Sequence, residues 1–239
     1  MKQKSFILAS FILGIFLTTS CVFSGPSLKG NGDVVEENRK VGSFDEIKVS
    51  RGINVYISQG EKTKVVVEAD ENLLEAIITK MDGNTLKITT DANIRKSKSK
   101  KVFVTCPNIS VIKSYAGSNV YSENTIASKN LEISASAGSN IKLEVDAGEL
   151  YVTSSAGSNI KLEGTAEIFK GKSSAGSNIK AEDLFTNDCL ARTSSGANIW
   201  ISAKNNFEGH ASSGGNVFYS GNPKTTDINK SSGGNVIKN

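Results

Sequence analysis

The residues best able to do chemistry are few and badly grouped. His210 is the only histidine, and it stands four places before a turn glycine, in a column with Lys113, Ser134, Thr153, Lys172, Arg192 and Asn229. No Cys or His neighbours another at the spacing of a metal site. The sequence carries neither a nucleophile elbow nor a phosphate-binding glycine loop. A polysaccharide lyase would need clustered Asp to hold a cation and a Lys or Arg as base, whereas the repeats hold Glu at regular steps and almost no Asp. The expectation is no catalytic residue, no metal and no cofactor, and a carbohydrate-cleaving enzyme is the reading least in keeping with the residues. What does recur is charge: Lys142, Lys161 and Lys180 in one column, and Glu123, Glu144, Glu163 and Glu182 in another. Exposed ion pairs contribute at most ~1 kcal/mol each, so solubility and strand register are the first explanation and a glycan or cation site the second.

Charges that return at a fixed step need elements that return at the same step. The stretch SSAGSNIKLE at 154–163 comes back as SSAGSNIKAE at 173–182. Turn glycines at Gly117, Gly138, Gly157, Gly176, Gly196, Gly214 and Gly233 are followed two places on by Asn119, Asn140, Asn159, Asn178, Asn198, Asn216 and Asn235, at intervals of 18 to 21 residues. The segment around Gly52 and Asn54 superimposes on that around Gly196 and Asn198, and reads as a separated copy of the same turn. Three places after each repeated Gly runs an unbroken β-branched column, Val120, Ile141, Ile160, Ile179, Ile199, Val217 and Val236. Five places before it stand Ile112, Ile133, Val152, Gly171, Ala191, Gly209 and Ile228, mostly small or branched. Period two on both sides of a glycine turn means strand, turn, strand.

One such pair of strands cannot bury enough apolar surface alone, but coils stacked at ~4.8 Å share a continuous core. The predicted fold is therefore all-β, a parallel β-helix of coils about nineteen residues long with two main sheets joined at Gly-Ser-Asn turns. Gly supplies the positive φ of the tight corner. Each Asn could close a local Asx turn or bond the Asn of the adjacent coil in a ladder, and the retention of Asn at seven successive turns favours the ladder.

In the first and last coils the Lys column becomes Tyr121, then Trp200, Phe218 and Ile237, with Tyr219 beside it. Large outward aromatics mark a contact surface, so Trp200, Phe218, Tyr219 and Ile237 are the candidate contact residues, for another subunit or for sugar rings. The last coil, ending at Asn239, is expected to present open backbone edges and core side chains that need a cover.

The N-terminal part reads differently. Lys2 and Lys4, the apolar run Phe6–Leu17 and the small residues Thr18, Thr19 and Ser20 form a secretory signal, expected over residues 1–20. Cys21 follows as in a lipobox, although Thr18 stands where Leu is usual, and is the expected lipidation site. Loss of the leader lowers the formal charge from +4 to +2, which gives no ground for a nucleic-acid partner. Residues 21–43 read as a flexible tether and 44–239 as the folded domain, with irregular coils over 44–110 and regular repeats over 111–239. Within 44–110, strands are expected at Ile47–Ser50, Ile53–Ser58, Lys64–Ala69 and Thr85–Thr90. Glu71–Met81 is either a short helix or a bulged strand, and Arg95–Lys101 is a basic loop, by default a solvated face. Cys106 and Cys189 are open between a disulfide and two buried thiols. With 38% hydrophobic residues but only 7% aromatic, the chain must build its core from small and branched side chains, in keeping with thin β architecture.

The triplet Gly52-Ile53-Asn54, followed by paired strands and then GSN-centred repeats to the C-terminus, resembles the auto-transporter adhesin family with the head GIN domain. The resemblance spans Phe44 to Asn239 and implies a right-handed, pectin-lyase-like β-helix with an adhesion role and no conserved catalytic site. Taken together, the expectation is a non-catalytic lipoprotein of the outer membrane or cell envelope, anchored to the membrane by lipid, on a face left open. It would touch a glycan or a surface protein. The alternative is a self-associating envelope scaffold or sensor component, a homo-oligomer.

Overall fold

At Ser155-Ala156-Gly157-Ser158 two consecutive residues take left-handed backbone angles, φ +49° at Ala156 and +69° at Gly157. The Ser158 amide then closes the turn on the Ser155 carbonyl at 3.2 Å. The same pair of positive φ values recurs from Arg51-Gly52 to Ser232-Gly233, so each corner reverses the chain as tightly as a hairpin turn. A Cβ on Gly157 would meet nothing within 4 Å; backbone angle, and not space, selects glycine there. After the glycine the side chain points inward: Ser118, Ser139, Ser158 and Ser177 are fully buried. The Ser139 hydroxyl donates to the Ser114 carbonyl at 2.7 Å and that of Ser158 to the Ala135 carbonyl at 2.8 Å, so burial leaves neither unsatisfied.

The computed structural model describes residues 25–239; the expected leader (1–20) and Cys21 lie outside the described residues. The N-terminal part supplies β1 (Ser27–Lys29), β2 (Val34–Arg39), β3 (Glu46–Val49), β4 (Asn54–Gln59), β5 (Lys64–Asp70), β6 (Ile77–Asp82), β7 (Thr85–Thr90), β8 (Asn93–Lys96) and β9 (Lys100–Cys106). The repeats supply β10 (Val111–Ser114), β11 (Asn119–Ser122), β12 (Ile126–Ala135), β13 (Asn140–Ser154), β14 (Asn159–Ser173), β15 (Asn178–Thr193), β16 (Asn198–Ala211), β17 (Asn216–Ser220), β18 (Thr225–Lys230) and β19 (Asn235–Lys238). From β10 onward every pairing between coils is parallel and nearly every corner aligns: Asn140 opposes Asn159, which opposes Asn178, and Ile141, Ile160 and Ile179 form one file. The result is a β-solenoid of about seven turns of roughly 19 residues, and those files of fully or almost fully buried Ile, Val and Leu are its core.

The N-terminal end is closed by antiparallel strands. β9 pairs parallel with β4 but antiparallel with β5, β5 pairs antiparallel with β2, and on the other sheet β6 pairs antiparallel with β7. This corrects the expected flexible tether over 21–43: β2 is laid against β5 from Val34–Asp70 to Arg39–Val65, and β1 pairs with β8. Alternation is weak in these polar strands, so nothing local marked them as paired. Asp70 clasps the arrangement. Its buried carboxylate accepts from the backbone amides of Lys98 and Ser99 at 2.9 Å and Gly32 at 3.0 Å. Burial works against that charge, yet the amides of Ser99, Gly32 and Lys98 outweigh it and hold the carboxyl below its usual range.

Two open points are decided here. Glu71–Met81 is a 3₁₀ turn at Glu71–Leu73 followed by β6. Most of the expected basic loop is strand, since Arg95 and Lys96 end β8 and Lys100 and Lys101 begin β9, with Lys101 paired to Glu68 at 3.0 Å.

Candidate contact surface

Four places after each corner glycine the side chain faces outward, and register strings these positions into one file. It runs Phe103, Tyr56, Tyr121, Lys142, Lys161, Lys180, Trp200, Phe218, Ile237. The rings stack along it: Phe103 on Tyr56 at 5.2 Å between centroids, Tyr56 on Tyr121 at 5.3 Å, and Trp200 on Phe218 at 5.2 Å with 10° between planes. Lys180 Nζ lies 5.9 Å from the Trp200 ring, within cation–π range. Three lysines thus sit between two aromatic blocks. Trp200 and Phe218 are half-buried, because each ring covers its neighbour, whereas Ile237 is 42% exposed.

Sequence reasoning missed Tyr56 and Phe103. Tyr56 stands at the same offset from Gly52 as Trp200 from Gly196, which was signal enough. Phe103 had none, since β9 follows no glycine corner and reaches the file through its pairing with β4. Tyr219 is a correction. Only 7% exposed, it stacks on Phe207 at 4.1 Å inside the coil. The physical reason is parity: five places after the glycine is an inward position, filled elsewhere by Leu143, Leu162, Ala181 and Ile201.

The acidic column is also corrected. Glu144 opposes Glu163, but Glu163 opposes Asp183 and not Glu182, because β15 slips its register after Lys180. Asp183 then lies 3.5 Å from Lys161, and the columns are tied by that pair.

His210 lies in the expected outward file between Arg192 and Asn229. Its Nε2 lies 2.6 Å from Glu208, which Arg192 also approaches at 3.4 Å. The bond to His210 is the main reason the Glu208 carboxyl sits below its usual range. One histidine tied to one carboxylate on a sheet face can orient a charge but offers no nucleophile or oxyanion donors. Among the described residues no group of three or more His, Cys, Asp or Glu is placed to hold a metal ion. Cys106 and Cys189 are free and buried, not joined; burial pushes the Cys106 thiol up to about 12 and raises Cys189 as well, which makes both poor nucleophiles.

β18 pairs with β16 and β19 with β17, and the inward places opposite Ala211 and Tyr219 are taken by Lys230 and Lys238. Both lysines are exposed, Lys238 Nζ donating to Asn222 Oδ1 at 3.0 Å, and Ile228 is 41% exposed.

Residues 43–223 match the family described as "Putative auto-transporter adhesin, head GIN domain". The chain belongs to this family. The head GIN match takes in β3 to β9 but not β1 and β2 of the cap, covers the corners from Gly52 to Gly214, and stops short of the corner at Gly233. Among solved structures, this GIN domain resembles a "putative adhesin" of Bacteroides fragilis, with a TM-score of 0.83 at 24% identity over 89% of this chain and 100% of the other. A "putative lipid binding protein" of Parabacteroides distasonis has a TM-score of 0.72 at 18% identity, over 89% and 99% of the two chains. A "putative adhesin" of Parabacteroides merdae has the same TM-score at 17% identity, over 90% and 99%. These likenesses carry the fold. No curated protein matches the chain.

Proposed function

We propose that this GIN domain is a non-catalytic contact module of the cell envelope, held to the membrane through lipid on Cys21 after removal of residues 1–20. The outward aromatic and lysine file is its contact face. The observation that carries this reading is the Trp200–Phe218 stack beside Lys180: partly exposed aromatic surface next to cationic charge, repeated at the Tyr56–Tyr121 end of the same file. Coil stacking alone does not call for rings there, since lysines occupy the same file in three coils. The adhesin descriptions of the family and its neighbours support a binding role over turnover.

One experiment compares cells carrying the wild type, Cys21→Ser, and the double variant Trp200→Ser with Phe218→Ser. The Cys21 variant should leave the membrane fraction. The double variant should stay in that fraction, keep its unfolding temperature within a few degrees, and lose most attachment to a host-cell surface. Self-association is the second reading, favoured by the half-exposed Ile237 and Ile228 at the last coil. A drop in solution mass of the double variant, with attachment intact, would establish that reading in place of the first.

A further inference from the structure

Two outward files beyond the lysine column the chain turns a second corner. There the ladder skips one position in each coil, at Lys129, Gly148, Glu167 and Asn187. The corner encloses a trough with a cavity volume of about 850 Å³. Its floor is a file of small side chains, Ala147, Ala166, Thr186 and Ala203, none more than 5% exposed. One wall is the outward file Asp146, Thr165, Phe185 and Ser202; Glu167 and Asn187 stand on the other. Lined from Ala127 in β12 to Asn222 after β17, it crosses six coils, and five steps of ~4.8 Å make it about 24 Å long.

Phe185 is the anomaly in this trough. At 70% it is the most exposed large apolar side chain among the described residues, and none of the stacked ring pairs among those residues includes it. It holds an outward place, as Asp146, Thr165 and Ser202 do in the same file, and residues 182–184 before it are unpaired against β16, where Ala181 opposes Ile201 and Phe185 already opposes Ser202. The adjoining coil β14 rounds the same corner against β13 without a register slip, so the fold has no need of the insertion. Around the ring, polar groups are held in place: Thr165 donates to Asp146 at 2.7 Å, and Asn187 donates to Glu167. An ionised carboxylate has about four lone-pair sites, so both acids retain acceptor capacity toward the trough.

We propose that this trough is a binding site for a neutral oligosaccharide, with Phe185 as the stacking platform and Asp146, Glu167 and Asn187 as hydroxyl partners. Sugars combine apolar C–H faces with dense hydroxyl donors, and the trough combines an exposed ring with fixed acceptors over a floor of small residues that leaves room for a ring. Two carboxylates against Lys204 alone make the walls net negative, which disfavours acidic polymers. The site is distinct from the contact face proposed above and does not depend on it.

Titration calorimetry of the full-length protein with neutral hexasaccharides of glucose, mannose and N-acetylglucosamine, and with hexagalacturonate as the acidic probe, tests the assignment. At least one neutral hexamer should bind. Phe185→Ala should weaken it by about tenfold or more, with an unchanged unfolding temperature because the side chain is exposed, and Phe185→Trp should restore it. The assignment is overturned if no neutral hexamer binds at millimolar concentration, if hexagalacturonate binds more tightly, or if Phe185→Ala leaves the affinity where it was. A protein captured through Phe185 in the absence of sugar binding would likewise overturn it and make the trough a protein interface.

Discussion

Asn159 donates its side-chain amide to Asn140 at 3.1 Å and accepts that of Asn178 at 2.9 Å. The ladder runs without a break from Asn54 to Asn235, every amide donating to the preceding coil. Asn159→Leu removes both bonds at once, and at about 0.5–1.5 kcal/mol per bond the loss should be about 1–3 kcal/mol in urea unfolding, outside the usual range for a surface change. Gly157→Val should cost more, since φ +69° is a genuine outlier for a β-branched residue. Equal and negligible losses would mean the corners do not act as a stack. The ladder was legible because identical residues at a fixed step must meet when coils stack. The left-handed residue before each corner glycine, Arg at the first and Ala or Ser at the others, was not, because those residue types carry no mark of that conformation.

Within a coil, Phe169 and Gly171 share one inward space. A Cβ on Gly171 would fall 2.4 Å from the Phe169 ring, and one on Gly209 would fall 2.7 Å from that of Phe207. The coil before places Leu150 and Val152 there, and the coil between places Cys189 and Ala191, so bulk at one position is offset by its neighbour two residues on. Gly171→Val alone overpacks and should cost about 1–3 kcal/mol. Adding Phe169→Leu, which copies the preceding coil, should recover most of that loss. A single variant as stable as the wild type would show that the alternation is not a packing constraint. The small residues of this file were visible in the sequence; their cause, a Phe two places earlier, became plain only once both were seen to point inward.

For the molecule as a whole, the antiparallel cap must hold the end of the stack, and Asp70 joins three of its segments through Gly32, Lys98 and Ser99. Its carboxyl is held below the unfolded value, so the stabilisation is fully present above about pH 4 and is lost as pH falls through the folded pKa. Asp70→Asn should lower stability at neutral pH by about 1–3 kcal/mol, because an amide cannot accept all three donors. It should also flatten the acid limb of stability against pH in urea titrations. Wild type and variant losing stability in parallel below pH 4 would remove Asp70 from that role. The coil period, the corners, the branched core column and the Asn ladder followed from the sequence by itself, because each is a local pattern repeated at one step and stacking converts equal offsets into contacts. Only the tertiary structure decided that 27–39 pairs into the sheets, that Tyr219 is inward, that Asp183 replaces Glu182 beside Lys161, and that Phe185 stands out over a trough. Those depend on which distant strands pair and on a slip within one coil, and a slip of one residue in a strand reverses the face of every side chain beyond it.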